Sequence, residues 1–151
     1  MHPESMSLTA SKLMLKRFRE LLESNRSFAF ETTASATNYI KHLKKAQVNG
    51  YEVHSMFLWL SSPDLAIKRV AQRVAQGGHN IPEATIKRRY YSGLKNFIKY
   101  YLPISDNATI LDNSITDVNK IIATKNVVDG LKIEEPSIWK EIEGVVYARQ
   151  T

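Results

Sequence analysis

The sequence predicts an α/β protein built on a mainly parallel sheet, and three observations carry that reading. Short apolar segments alternate with segments of helical period along nearly the whole chain. "YEVHSMFLWL" (51–60) is nearly all apolar in its second half, as a parallel strand covered on both faces would be. The strand candidates "FAFE" (28–31) and "ATILD" (108–112) both end on a carboxylate. Open α/β sheets bind their ligands at the carboxyl ends of strands.

Taken in order, residues Ser7 to Glu23 read as a helix with Leu13, Phe18, Leu21 and Leu22 on one apolar face. "SNRS" breaks it, and "FAFE" follows as a short strand. "TTASA" leads into a second helix carrying Tyr39, Ile40 and Leu43, stopped by Asn49-Gly50. After the 51–60 strand, "SSPD" starts a helix: Ser62 caps it, Pro63 suits the first turn, and Asp64 complements the helix dipole. Leu65, Val70 and Val74 follow at near-helical spacing until Gly77-Gly78. Pro82 opens the next helix, expected to run through Tyr100 and to stop before Pro103. "KIIAT" and "GLKIEE" are two weaker strands after "ATILD". A final helix opens at Pro136, with Trp139, Ile142 and Val146 on one face.

A chain of 151 residues is long enough to bury a sizeable core, and one domain over 1–151 is expected. The longest apolar run, Met56 to Leu60, falls far short of the ~20 residues of a membrane span. The start "MHPESMSLTASK" lacks the cationic-then-apolar order of a leader. With no cysteine there is neither a disulfide scaffold nor a thiolate metal site, so a cytoplasmic location without a membrane partner is expected. The net charge of +6 favours an anionic partner. Much of it sits in one third of the chain, at Arg69, Arg73, Lys87, Arg88, Arg89, Lys95 and Lys99, which favours a local site.

Several residues could carry chemistry. Glu31, Thr32 and Thr33 stand at a strand exit, where a carboxylate with hydroxyls can hold Mg2+ or a substrate hydroxyl. The same group would equally serve as a helix cap, with Thr33 or Ser35 on the first amides. Arg69 and Arg73, four apart, share a helix face before the glycine pair, and Arg88 aligns with Lys95 on the next helix. Such arginines clamp phosphate oxygens, and glycines between cationic helices fit a lid closing over polyphosphate. A solvated basic face accounts for the same spacing. His79, beside the glycines, could touch a phosphate, whereas His54 lies within a strand. Nucleic acid is a less favoured partner, because Tyr90, Phe97 and Tyr101 fall at spacings that mark a core face. The pattern G-x-x-x-x-G-K-[ST] (Walker A) occurs nowhere in these residues.

"PES", "SFAFETT", "GYEVHSMFLWLSSPDLAIKRVAQRVAQGGHNIPEATIKRRYYSGLKNF" and "YLPISDNATILDNS" together resemble the zeta-toxin-like P-loop kinases, in the bacterial branch of zeta-toxin-domain proteins or predicted ATPases. The likeness runs from about Pro3 to Ser114, leaving 115–151 as a C-terminal hairpin and helix extension. It implies a P-loop NTPase-like, three-layer α/β/α kinase domain that uses ATP and Mg2+ to phosphorylate a nucleotide or nucleotide-sugar acceptor such as UDP-N-acetylglucosamine. It also implies roles for residues. Glu31 takes the carboxylate position near metal and substrate, reaching Mg2+ indirectly, with Thr32 and Thr33 as substrate contacts. Arg73, with Arg69 beside it, takes the phosphate-contacting position before the lid. A second phosphate contact falls on His79, with Arg88 as the alternative. Asp112, Asn113 and Ser114 take the loop near the adenine pocket.

The family's first strand, its P-loop lysine, the following helix and the strand with the catalytic aspartate have no counterpart here, a difference of about forty to fifty residues. The expectation is an N-terminally truncated module that is inactive alone. Its partners would be a nucleotide or nucleotide sugar, and with them an antitoxin, a complementing fragment or a second copy. The alternative is a binding or interaction module that uses the basic helix.

Overall fold

The computed structural model describes residues 3–115 and 118–148. The chain divides into two compact units, Met1–Glu31 and Thr32–Thr151.

The first unit holds helix α1 (Pro3–Glu23), and the segment after it turns at 24–25 and then carries no regular secondary structure. Residues 28–31, expected as a strand, belong to no sheet. A strand needs a neighbouring backbone to pair with, and the other element described in this unit is a helix. The strand-like alternation nevertheless persists. Phe28 and Phe30, two apart, both set their rings edge-on against Phe18 of α1, with centroids 5.2 Å away in each case. Aromatic packing therefore takes the place of the ladder.

The second unit runs α2 (Ile40–Val48), β1 (His54–Trp59), α3 (Pro63–Ala75), α4 (Glu83–Asn96), a π turn (Phe97–Tyr101), α5 (Leu102–Ile104), β2 (Asn107–Ile115), β3 (Val118–Asn126), β4 (Gly130–Ile133) and α6 (Pro136–Tyr147). The α/β class holds. The sheet order is β1-β2-β3-β4, in which β1 and β2 are parallel while β2-β3 and β3-β4 are antiparallel. The parallel pairing expected of the whole sheet is thus confined to β1-β2, and the C-terminal hairpin makes the sheet mixed. α2 ends as its sequence dictates, at Asn49 with Gly50 in a left-handed conformation.

The helices cover one face of this sheet. Phe57 stacks on Phe97 of the π turn at 4.4 Å, and its row across the sheet continues into buried Ile110 and Ala123. α6 adds Trp139, Ile142 and Val146 to the same core. The other face is open, so β1 is not covered on both sides as its composition suggests. Met56 and Leu58 are 68% and 52% exposed, and Ile121, which shares the row of Leu58 through Leu111, is 45% exposed.

The long helix passes Pro103 instead of stopping before it. Its buried residues fall in a strict four-residue repeat: Gly93-Leu94, Phe97-Ile98, Tyr101-Leu102, Ser105. An α-helix has 3.6 residues per turn, so such a repeat drifts by about 40° at each step. The wider π turn, in which the Leu102 amide reaches the Phe97 carbonyl, absorbs that drift. It also opens the backbone where a proline ring would clash with the preceding turn. Beyond it, Lys125 Nζ donates to the carbonyls of Leu102, Pro103 and Ser105, satisfying acceptors that a helix end leaves free. Asp106 then anchors the start of the parallel pair. The Val53 amide and the Gln47 side chain donate to its carboxylate and hold its pKa below the ordinary value.

The closest helix contact is at Gly93, where an added Cβ would lie 2.4 Å from the Thr33 carbonyl oxygen. Gly93→Ala should lower stability by about 2–3 kcal/mol, as overpacking against backbone does. Gly144→Ala on α6, where an added Cβ meets nothing within 4 Å, should raise it by about 0.5–1 kcal/mol. Urea unfolding of the two variants tests this, and equal effects would contradict the close packing at Gly93.

Candidate functional site

α3 leaves the carboxyl end of β1 with the start its sequence calls for. Ser62 Oγ accepts from the Leu65 amide, Pro63 opens the first turn, and Asp64 follows. Its far end is a Schellman cap: the Gly78 amide donates to the Arg73 carbonyl and the Gly77 amide to that of Val74, with Gly77 at φ +94°. Gly78 is pressed so tightly that a Cβ would come within 2.8 Å of the Arg73 carbonyl oxygen. The glycine pair read as a hinge therefore has a structural duty, which is to end α3 just before His79.

The helix so framed delivers Arg69 to the end of the parallel pair. Its guanidinium donates to the carbonyl of Asn113 on β2. Asp112 Oδ1 accepts from the Ser114 amide, and Ser114 Oγ accepts from the Ser61 amide just past β1. Since Trp59 and Asp112 are register partners, these groups share the carboxyl-terminal end of β1 and β2. Asp112, Asn113 and Ser114 are not a free turn, however. β2 runs through them to Ile115, with an irregular register against β3 between Asp112 and Ile115. The extra length of the hairpin strand extends pairing past the point where the sequence suggests a loop, and the Asp112–Ser114 bond closes the bulge.

Other candidates stand apart. Arg73 and His79 are exposed, the first a turn beyond Arg69 and the second just past the cap. Arg88 is exposed on α4, where its carbonyl accepts from Ser92 Oγ. Lys87, beside it, approaches Asp64 at 3.9 Å and links the starts of α3 and α4. Glu31 is exposed at the end of the first unit. Thr32 Oγ1 accepts from the Ala34 amide, and Thr33 Oγ1 lies 2.8 Å from Ser35 Oγ. Neither Thr33 nor Ser35 caps α2, whose N-cap is Tyr39 without a side-chain bond. The helix-cap reading of this segment is thus set aside. The segment is held instead by α4 and the π turn: Asn96 Nδ2 donates to the Ala34 carbonyl, and Tyr101 Oη donates to that of Ala36.

Three residues matter more than their sequence context suggests. Tyr90 Oη donates to the Leu60 carbonyl at 2.7 Å, fixing the exit of β1. Ser61 supplies the amide to Ser114, and Asn96 clamps Ala34. None of these three bonds was legible in the sequence, whereas Gly93 carried a signal, because an isolated glycine inside a helical pattern usually has a packing reason. Tyr90, Phe97 and Tyr101 are occupied within the fold, so they are not a stacking surface for bases.

Residues 3–125 match the family model described as Zeta toxin. A relative from Haemophilus influenzae, described as an "Uncharacterized protein", is 28% identical over 89 residues. That match covers 59% of this chain and 64% of the relative, so it spans less than two thirds of the relative's length. No solved structure matches.

Burial, with Tyr91 and Glu141 adding to it, pushes the Tyr90 phenol from 10.0 up to about 12. A raised folded-state pKa means that this contribution is fully present below pH ~10 and is lost as pH rises towards 12. Tyr90→Phe should cost about 1 kcal/mol at neutral pH by orphaning the Leu60 carbonyl. The difference from the parent chain should shrink between pH 10 and 12, as measured by unfolding at each pH. A difference that stays constant across that window would refute the assignment.

Proposed function

We propose a phosphoryl-transfer role for this chain from one premise: it belongs to the zeta toxin family, whose members are kinase-like P-loop modules. The chain would supply the phosphate-contacting side of an ATP-dependent kinase site. The acceptor would be a small molecule such as a nucleotide sugar, with UDP-N-acetylglucosamine the first to try. The observation that supports this reading is the reach of Arg69 to Asn113 at the carboxyl end of the parallel pair, where α/β sheets bind ligands. Arg73, on the same helix, brings a second guanidinium whose charge is open to solvent. Two guanidiniums there would neutralise charge on transferring phosphate oxygens, which is the main demand of this reaction.

In the transfer an acceptor hydroxyl oxygen bonds to the γ-phosphorus, the bridging bond to ADP breaks, and the hydroxyl proton leaves to a base. Thr32 and Thr33 are suited to hold that hydroxyl by hydrogen bonding. Among the described residues no group of three or more His, Asp or Glu could hold a metal ion. Magnesium in such sites takes one or two carboxylates and otherwise phosphate and water oxygens, so Glu31 fits an indirect contact and nothing closer. Mg2+ with ATP would supply charge neutralisation on the β- and γ-phosphates. The 151 residues offer no Walker A loop and no base matched to the family's catalytic aspartate. On this reading they do not turn over ATP unaided and work with a polypeptide that brings both.

Two outcomes are expected. Pyrophosphate titrated at low salt should shift the guanidinium NMR signals of Arg69 and Arg73, with Arg88 and His79 responding if they close the site. The response should fall as salt screens it, and Arg73→Ala should weaken binding several-fold. The chain with Mg2+-ATP and UDP-N-acetylglucosamine should give no product above background, and adding a strand–P-loop–helix polypeptide in trans should produce it. Silence at both arginines would end the phosphate reading, and turnover by the chain alone that Arg73→Ala abolishes would end the claim of dependence.

A further inference from the structure

Arg88, Tyr91 and Lys95, spaced three and four apart, lie within about 60° of one another around α4, opposite buried Ile86, Gly93 and Leu94. Lys99, in the π turn, follows four residues later. Its ammonium stands 5.1 Å from the ring centroid of Tyr147, the last residue of α6. We propose that this stripe of cations and open rings binds single-stranded nucleic acid, with phosphates on the cations and bases on the tyrosines. The proposal does not rest on the phosphoryl-transfer reading above, which is carried by α3.

Three features support it. First, the rings are open and one is already oriented. Tyr90, Phe97 and Tyr101 go into the fold, as their spacing predicts, and it is a neighbour that stays outside. Tyr90 is tied to the Leu60 carbonyl, whereas Tyr91 is 49% exposed. The two rings meet edge to face, with centroids 5.2 Å apart and planes at 89°, so the anchored ring steadies the open one. A ring held in this way loses little freedom when a base stacks on it. Tyr147 is 59% exposed, and the Lys99 ammonium beside its ring places a phosphate partner next to a second stacking surface.

Second, the cations of the stripe are uncommitted. Lys87 is drawn to Asp64 and is left out of it. Arg88, Lys95 and Lys99 form no ion pair among the described residues. Glu141 of α6 approaches Tyr90, which leaves α4 on another side. Lys140 and Glu143 share the helical row of Tyr147 and offset one another, so three positive charges remain.

Third, the composition selects among polyanions. An acidic peptide would use the cations and leave the rings without a matching partner. A membrane surface would require aliphatic side chains beside the tyrosines. The exposed residues of α4 are Glu83, Ala84, Lys87, Arg88, Tyr91 and Lys95, with no Leu, Ile, Val or Phe among them. A single strand uses both parts of the stripe, because every nucleotide brings a charged phosphate and a free π-face. From Arg88 to Lys99 the helix rises about 16 Å, so a short oligonucleotide is a sufficient probe.

The test is fluorescence anisotropy of labelled oligo(dT) and oligo(U), about ten nucleotides long, titrated with the whole chain. The two should bind alike, since neither cations nor rings read the 2′-hydroxyl. Three phosphate contacts give a slope of about −2 for log affinity against log salt, or about a twentyfold loss between about 50 and 200 mM. Tyr91→Ala and Lys95→Glu should each weaken binding about tenfold, while Tyr91→Phe should retain it, since stacking needs the ring and not the hydroxyl. Lys44→Glu, the same charge change on exposed α2, and Arg73→Ala should leave it nearly unchanged. Polyglutamate of matched length should bind more weakly than either oligonucleotide. Affinity indifferent to Tyr91→Ala, equal losses from Lys44→Glu and Lys95→Glu, or equal binding of polyglutamate would overturn the stripe. Each of those results would leave the pyrophosphate response of Arg69 and Arg73 to be judged on its own.

Discussion

Gly93 permits the backbone of Thr33 to come so near α4 that no side chain fits between them, and much of the second unit is arranged around the helix that makes this contact. From that point towards its end the helix meets each neighbour in turn. Asn96 and Tyr101 fasten residues 34–36, Phe97 stacks on β1, and Lys125 of β3 closes its carbonyl end. Tyr90, a turn earlier, fastens the exit of β1. A helix with contacts on so many sides must hold a fixed rotation about its own axis. The four-residue repeat of buried positions would twist an ideal α-helix away from the sheet, so the π turn is required by the packing.

That rotation has functional consequences. The Tyr90–Leu60 bond and the Ser61–Ser114 bond bring the exits of β1 and β2 together, and Arg69 can then reach Asn113. The same π turn leaves Tyr100 outside the core, facing the segment that carries Thr33 and Ser35. The arginines proposed to meet phosphate and the hydroxyls proposed to meet the acceptor are thus tied to opposite ends of one helical stretch. A change in its packing should disturb both, although they share no direct contact among the described residues.

Much of this was legible in the sequence, and the exceptions have physical causes. Ser62-Pro63-Asp64, Asn49-Gly50 and Gly77 acted through local chemistry, so their helix ends fell where expected. The family match over residues 3–125 bears out the resemblance read from the same segments. The failures are all non-local. "FAFE" has the composition of a strand, but strand formation depends on a partner that no window of sequence contains. Pro103 reads as a stop because the register change that accommodates it is set by burial from Gly93 to Ser105. Asp112-Asn113-Ser114 reads as a turn because its pairing with β3 comes from beyond it. Residue type and spacing singled out Arg69, whereas its partner, a backbone carbonyl, has no side-chain signature.

The two edges of the sheet differ in a way that bears on how the site could be completed. Proteins blunt exposed edges with charged side chains, prolines or bulges, because a bare edge invites pairing with another strand. β4 follows that rule: Lys132 projects from it and pairs with Glu134 at 2.7 Å. β1 does not, for "HSMFLW" carries neither lysine nor proline, and Met56 and Leu58 stand open on its uncovered face. Its sheet neighbour β2 is parallel to it and lies on one side alone. A further parallel strand on the other side would cover a flank that the described sheet leaves bare, and would end beside Leu60 and Ser61, at the same end as Arg69 and Asn113. In this sheet the edge with least defence against pairing is therefore the one nearest the proposed chemistry, and a polypeptide bringing a phosphate-binding loop there would extend the sheet without displacing any contact described above.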